Sequence, residues 1–191
     1  NANANVVAST NTQLVDTTNP TVTITDDQSG TADDADATVL YTFTFSEAVT
    51  GFVTGDVTLV GGTKGTFTAV SSTVYTLSVT ADDNSTTSMT VDVAADVATD
   101  SNANANVVAS TNTQLVDTAN PTVAITDDQS GKVTDADSIV EFTVTFSEAV
   151  TGFALNDLTM VGGTGSNFVA VSSTVYTFDV TATDGSIADI T

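Results

Sequence analysis

Apolar and polar residues alternate with a period of two along most of this chain, and almost nowhere with the 3.6-residue period of a helix. In VLYTFTF (39–45) the side chains of Val39, Tyr41, Phe43 and Phe45 share one face, while Leu40, Thr42 and Thr44 share the other. This predicts a strand with one face in a core. The same reading predicts strands at TVTIT (21–25), DVTLV (56–60), GTFTAV (65–70), TVYTLSVT (73–80), SMTVDVA (88–94) and NVVASTNTQLV (106–116). Between them lie DDQSG, VTGF, VGGTKG, DDNS and TDSNAN, whose Gly, Asp and Asn supply turns. The predicted inward set is Val39, Tyr41, Phe43, Phe45, Leu59, Phe67, Tyr75, Leu77 and Val79, with their equivalents one repeat later.

That repeat is explicit. Residues 1–17 and 102–118 are the same string, NANANVVASTNTQLVDT, and stretches 1–90 and 102–191 align without a gap at 63 identical positions of 90. A period of 101 residues is one small domain rather than a solenoid unit. The second copy supports the face assignment, because Val140, Phe142, Val144 and Phe146 are all apolar whereas Leu40 becomes Glu141. Seven short strands per repeat fit tandem immunoglobulin-like antiparallel β-sandwiches of Greek-key topology, an all-β chain. The two prolines, Pro20 and Pro121, sit in equivalent strings, VDTTNPTV (15–22) and VDTANPTV (116–123). A proline-bearing connection is stiffer than a Gly/Ser tether, so the boundary between repeats is placed there. On this division 1–17 is the terminal strand of a preceding repeat, or a donor strand. Residues 18–118 make a complete module, and 119–191 make a second module incomplete at its C-terminal strands.

Composition narrows the function. There are 24 acidic residues against two basic ones, Lys64 and Lys132, for a net charge of −22, and no His or Cys. A polyanion without a basic patch has nothing to attract nucleic acid or an anionic membrane. No apolar run reaches membrane-spanning length, and no signal peptide precedes the repeats, so the chain reads as a mature or excised segment. Without His or Cys there is no Ser–His or Cys–His nucleophile pair, no disulfide framework and no thiolate metal site. Paired carboxylates of the kind that cleave glycosides would need an aromatic platform beside them. The tyrosines Tyr41, Tyr75 and Tyr176 instead fall on inward strand faces. The expectation is a protein that is not an enzyme.

FSEAVTGF (45–52 and 146–153), then GD or ND, VGGT, STVYT and a VDT-x-NPTV joint follow one another in both repeats. In this order they resemble the bacterial Ig-like repeats strung together in giant surface adhesins, including RTX-type and biofilm-associated ones. The resemblance covers the whole chain. It implies an extracellular β-sandwich, display at the cell surface, and calcium at or near the joints. NANAN (1–5 and 102–106) departs from the AGN-like loop more usual in the family.

Calcium binds six to eight hard oxygens, and the acids here cluster in turns. On an immunoglobulin topology Asp26, Asp27, Asp34, Asp36, Asp82 and Asp83 approach the joint at Asp117, with Glu148 of the second SEAV loop on its far side. The expected metal ligands are Asp26, Asp27, Asp34, Asp36, Asp83 and Asp117, with Asp127, Asp128, Asp135, Asp137 and Glu148 from the second repeat. Asp33 and Asp82 are Thr134 and Thr183 there and so are not repeated. The bland alternative is that Asp26 and Asp27 merely form turns. No EF-hand or glycine-rich nonapeptide loop occurs.

Three roles are compatible with these features. The first is a spacer of a long surface adhesin or extracellular fibre, stiffened by Ca2+ at its joints. The second is a filament subunit that polymerises head-to-tail with copies of itself, residues 1–17 completing the open second module of a neighbour. That donor does not supply the missing counterpart of VDVAADVATDS (91–101). The third, carbohydrate binding by the loops, lacks an aromatic signature. Partners are therefore neighbouring repeats or copies of the chain, with no nucleic acid and no membrane insertion.

Overall fold

The computed structural model describes residues 11–185 and 189–191, and it divides into two compact units between Ala119 and Asn120. Among the described residues there is no α-helix. Of the expected terminal strand, residues 1–10 lie outside the described residues and 11–17 carry no strand.

Unit 1 is a two-sheet sandwich. One sheet runs β1 (Val22–Asp26), β3 (Thr38–Phe45), β6 (Val74–Ala81), β5 (Gly62–Ala69), all antiparallel. The other runs β4 (Val57–Val60), β7 (Met89–Val93), β8 (Asn112–Gln114). A two-residue pair, β2 (Ala32–Asp33) with β9 (Val116–Asp117), is parallel and ties the last strand to the front of the unit. Four strands facing three, with the chain crossing between sheets, is the immunoglobulin arrangement. The period-two reading of the faces agrees with the burial. Val39, Tyr41, Phe43, Leu77 and Val79 are fully buried, Phe45 and Tyr75 nearly so, and Leu59 and Phe67 pack against the same core. Phe52 joins them from the loop after β3.

One predicted strand is corrected. Residues 106–116 do not run as a single strand; only β8 and β9 are paired. Asn106 turns its side chain into the preceding loop, Val107 N–H donates to Pro20 O at 3.0 Å and Ala109 N–H to Val93 O at 3.0 Å. The segment then changes partner, from β7 antiparallel to β2 parallel, and the change breaks the ladder.

Tyr41 occupies a position that is Phe142 in the second repeat. Its hydroxyl is buried and has no hydrogen-bond partner among the described residues. Burial, with Asp26 across the β1–β3 rung, pushes its pKa up to about 12. A buried hydroxyl without a partner costs about 1–3 kcal/mol. Tyr41→Phe is therefore expected to stabilise unit 1, by about 1 kcal/mol, in urea unfolding followed by amide exchange in β6. A loss of stability would show that the hydroxyl has a partner after all.

Among the described residues unit 2 repeats the first sheet: β10 (Val123–Asp127), β11 (Ile139–Phe146), β13 (Val175–Ala182), β12 (Gly163–Ala170). Its register copies that of unit 1, with Val123 opposite Phe146 where Val22 faces Phe45. Opposite it, Val161 and Thr191 exchange backbone bonds at 2.8 and 3.1 Å. The expected inward residues keep their direction but not their full burial. Val144, Tyr176, Phe178 and Val180 are buried, whereas Phe142, Phe146, Met160 and Phe168 are half-buried.

Candidate metal centre

Five of the eleven acids predicted as ligands accept hydrogen bonds through their carboxylates. Asp26 accepts from Gln28 N–H at 3.1 Å and from the Asn112 amide at 3.0 Å; Asp27 accepts from Leu40 N–H at 2.8 Å. In unit 2 Asp127 and Asp128 repeat this with Gln129 N–H and Glu141 N–H, both at 3.0 Å. Asp137 receives the Gln129 amide at 3.5 Å. Asp34, Asp36, Asp83 and Asp135 are exposed. Asp33 lies opposite Asp117 in the β2–β9 pair, and Thr118 bonds the 82–85 turn through Ser85 O and Asp82 O. None of these acids belongs to a set of three converging carboxylates.

Among the described residues one such set exists, at the other end of unit 1. Asp16, Glu47 and Asp100 place one oxygen each within 4.8 Å of one another. Asp16 comes from the proline-bearing string before β1, Glu47 from the SEAV loop after β3, and Asp100 from the TDSNAN turn after β7. Asp16 and Glu47 stand one period before Asp117 and Glu148, two of the expected ligands, while none of the three residues of this set was itself among those expected.

The asparagines of NANAN hold this set in place. Asp100 is 6% exposed and accepts from Asn102 N–H at 2.8 Å, Asn104 N–H at 2.8 Å and the Asn104 amide at 2.9 Å. The Asn102 amide donates to Asp16 Oδ2 at 2.7 Å, and the Asn104 amide to Asp16 O at 3.3 Å. The Asn104 side-chain bond, helped by the two backbone donors, keeps the Asp100 carboxyl below its usual range despite burial. Glu47 moves the other way, raised by burial and then by the charges of Asp100 and Asp16.

Below these three residues sits Asn106, 1% exposed. Its Oδ1 accepts from Val97 N–H at 2.9 Å and Ala98 N–H at 2.8 Å, and its Nδ2 donates to Ala94 O and Val107 O at 2.8 and 2.9 Å. All four of its hydrogen-bonding positions are filled, and the 94–107 loop that carries Asp100 is closed around it. Sequence reading passed over Asp16, Glu47 and Asp100. The available signal was the NANAN string, whose asparagines offer donors beside an acid two residues upstream.

The donor set is hard oxygen throughout, which suits Ca2+ and offers no soft ligand to Zn2+. The Lys64 ammonium does not pair with this set: it bonds the backbone carbonyls of Thr54 and Val57. Three carboxylates that repel one another, with Glu47 raised first by burial and then by the other two, match what a divalent cation relieves.

No helix among the described residues is long and apolar enough to cross a membrane. No curated protein matches the chain. Its sequence does match the bacterial Ig-like domain family over residues 16–116 and again over 117–190. Domains of that family are typically non-catalytic structural modules and commonly occur in extracellular or surface proteins. Two tandem matches, laid on one complete sandwich and one repeated sheet, place this chain in the bacterial Ig-like domain family.

Proposed function

We propose that the chain is a spacer of a long bacterial cell-surface adhesin or extracellular fibre, and that Ca2+ held by Asp16, Glu47 and Asp100 stiffens it. The convergence of these three carboxylates carries the reading. Asp16 belongs to the string that leads into the sandwich, whereas Glu47 and Asp100 belong to its loops. A cation shared among them fixes the entering string to the body of unit 1, which converts a swivel into a stiff connection. The three carboxylates supply part of the six to eight oxygens calcium takes, with water and backbone carbonyls supplying the rest. The family's usual setting supports display at the cell surface, and the high acidity would keep such a module apart from its neighbours.

Calcium at about 10 mM, with a Kd of about 10⁻⁴–10⁻³ M as in other extracellular modules, is expected to add about 1.4–2.7 kcal/mol to unit 1. Thermal unfolding of the whole chain in calcium and in chelator checks this, with Asp16→Asn as the control because Asp16 is exposed. The wild-type curves should separate and those of the variant should nearly coincide. Small-angle scattering should show a narrower distribution of end-to-end lengths in calcium. Coincident wild-type curves with unchanged scattering would mean that the carboxylates are merely solvated.

A further inference from the structure

We infer that Asn84 is a modification site, its side-chain amide the acceptor of an N-linked glycan. The chain holds 13 asparagines, and Asn84-Ser85-Thr86 is its one Asn-x-Ser/Thr triplet without a proline in the middle. Asn19-Pro20-Thr21 and Asn120-Pro121-Thr122 have the hydroxyl at the right spacing, but the proline between excludes them.

The triplet lies where such a group can be added and carried. It sits in the connection between β6 and β7, where Asp82, Asp83, Asn84, Thr86 and Thr87 are all exposed. The connection is pinned from its inner side. Asp82 N–H donates to Gly61 O at 3.2 Å, Ser85 N–H to Thr118 Oγ1 at 3.0 Å, and Thr118 N–H to Ser85 O at 2.9 Å. The Thr118 hydroxyl, on a residue 2% exposed, donates in turn to Asp82 O at 2.6 Å. Asn84 stands between these two anchored residues with φ at 53°, in the left-handed region. A glycan on its amide extends into solvent and leaves the anchors intact.

Turn-making by itself explains an Asn or a Gly at this position, and the second repeat has Gly185 there with φ at 70°. It does not explain an exposed hydroxyl two residues on. The second repeat has Ile187 in place of Thr86, so both halves of the triplet are present in one repeat and both are absent from the other. The reaction is a substitution at a sugar's anomeric carbon. The amide nitrogen bonds to C1 of a glycosyl diphosphate donor, the C1–O bond breaks, and the diphosphate leaves with the electron pair. A base of the transferase takes one amide proton. Asp82 and Asp83 give that enzyme carboxylates to grip through arginine or lysine. The site shares no residue with the set of Asp16, Glu47 and Asp100. It does rest on the surface setting proposed above, because acceptor triplets of this kind are used on surface loops of secreted proteins.

The test is the chain as its own cells make it, read by mass spectrometry of the peptide that carries Asn84. Protease added to intact cells shows separately whether the chain is displayed. The peptide should be heavier by whole sugar residues, with the added mass on Asn84. Asn84→Gly, which installs the residue of the second repeat, and Thr86→Ala should each abolish the addition, while Thr86→Ser should keep it. Circular dichroism with the β signature kept in all three variants excludes misfolding as the cause. A bare Asn84 in the wild type overturns the inference wherever the chain lies, and the protease result decides the surface reading by itself. An addition that survives Thr86→Ala, or that Thr86→Ser abolishes, would overturn it as well.

Discussion

Replacing Asn106 by leucine is expected to destabilise unit 1 by about 3–5 kcal/mol, with calcium present or absent. The side chain is 1% exposed and makes four hydrogen bonds of 2.8–2.9 Å, to Ala94, Val97, Ala98 and Val107. Leucine has a similar volume, so little of the effect comes from a cavity. It leaves two backbone N–H groups and two carbonyls without their partners, and each such buried group costs about 1–3 kcal/mol. A backbone that relaxes toward water recovers part of that. Because the two units need not unfold together, the measurement is amide exchange in β6 for unit 1 and in β13 for unit 2, read separately. Only the first should change. A loss below about 1 kcal/mol would mean that the 94–107 loop is held by something other than this amide.

Phe52→Ala should cost unit 1 about 3–5 kcal/mol, the range for removing a buried aromatic ring. The ring is 4% exposed and meets four others edge-on: Phe43 at 5.4 Å, Phe45 at 5.2 Å, Phe67 at 5.6 Å and Tyr75 at 5.2 Å between centroids. Beyond its area, the edge-to-face geometry is worth about 0.5–1.5 kcal/mol per pair. Phe52 also anchors the far end of the loop that carries Glu47, so the same substitution should weaken the calcium response. Phe52→Leu separates the two effects, since it retains apolar volume and loses only the ring contacts. Urea unfolding of the three proteins should rank wild type, then leucine, then alanine. If alanine and leucine behave alike, the ring geometry contributes nothing beyond filling space.

Much of the fold was legible along the chain because strands write themselves locally. A strand's faces alternate every residue, so Val39, Tyr41, Phe43 and Phe45 announce an inward face without reference to any partner. The repeat then checked the assignment, since a residue facing solvent tolerates Leu40 becoming Glu141 and one facing a core does not. Segment 106–116 misled for the same reason. Its residues favour extended backbone, but extended backbone is a strand only where a neighbour completes the ladder. Here the neighbours are, in turn, the 94–98 loop, Val93, β7 and β2.

The carboxylates divide along the same line. That acids fill the turns, that the oxygens are hard, and that no cationic patch or His–Cys chemistry exists followed from composition alone. Which acids meet did not. Asp26 and Asp27 accept from Gln28, Asn112 and Leu40 and join no converging set of three among the described residues, whereas Asp16, Glu47 and Asp100, from three separated segments, do. Only the closure of the sandwich brings the entering string, the loop after β3 and the turn after β7 to one end. A turn-forming Asp and a converging Asp have the same local sequence, and the difference between them is made by what the rest of the chain places beside each.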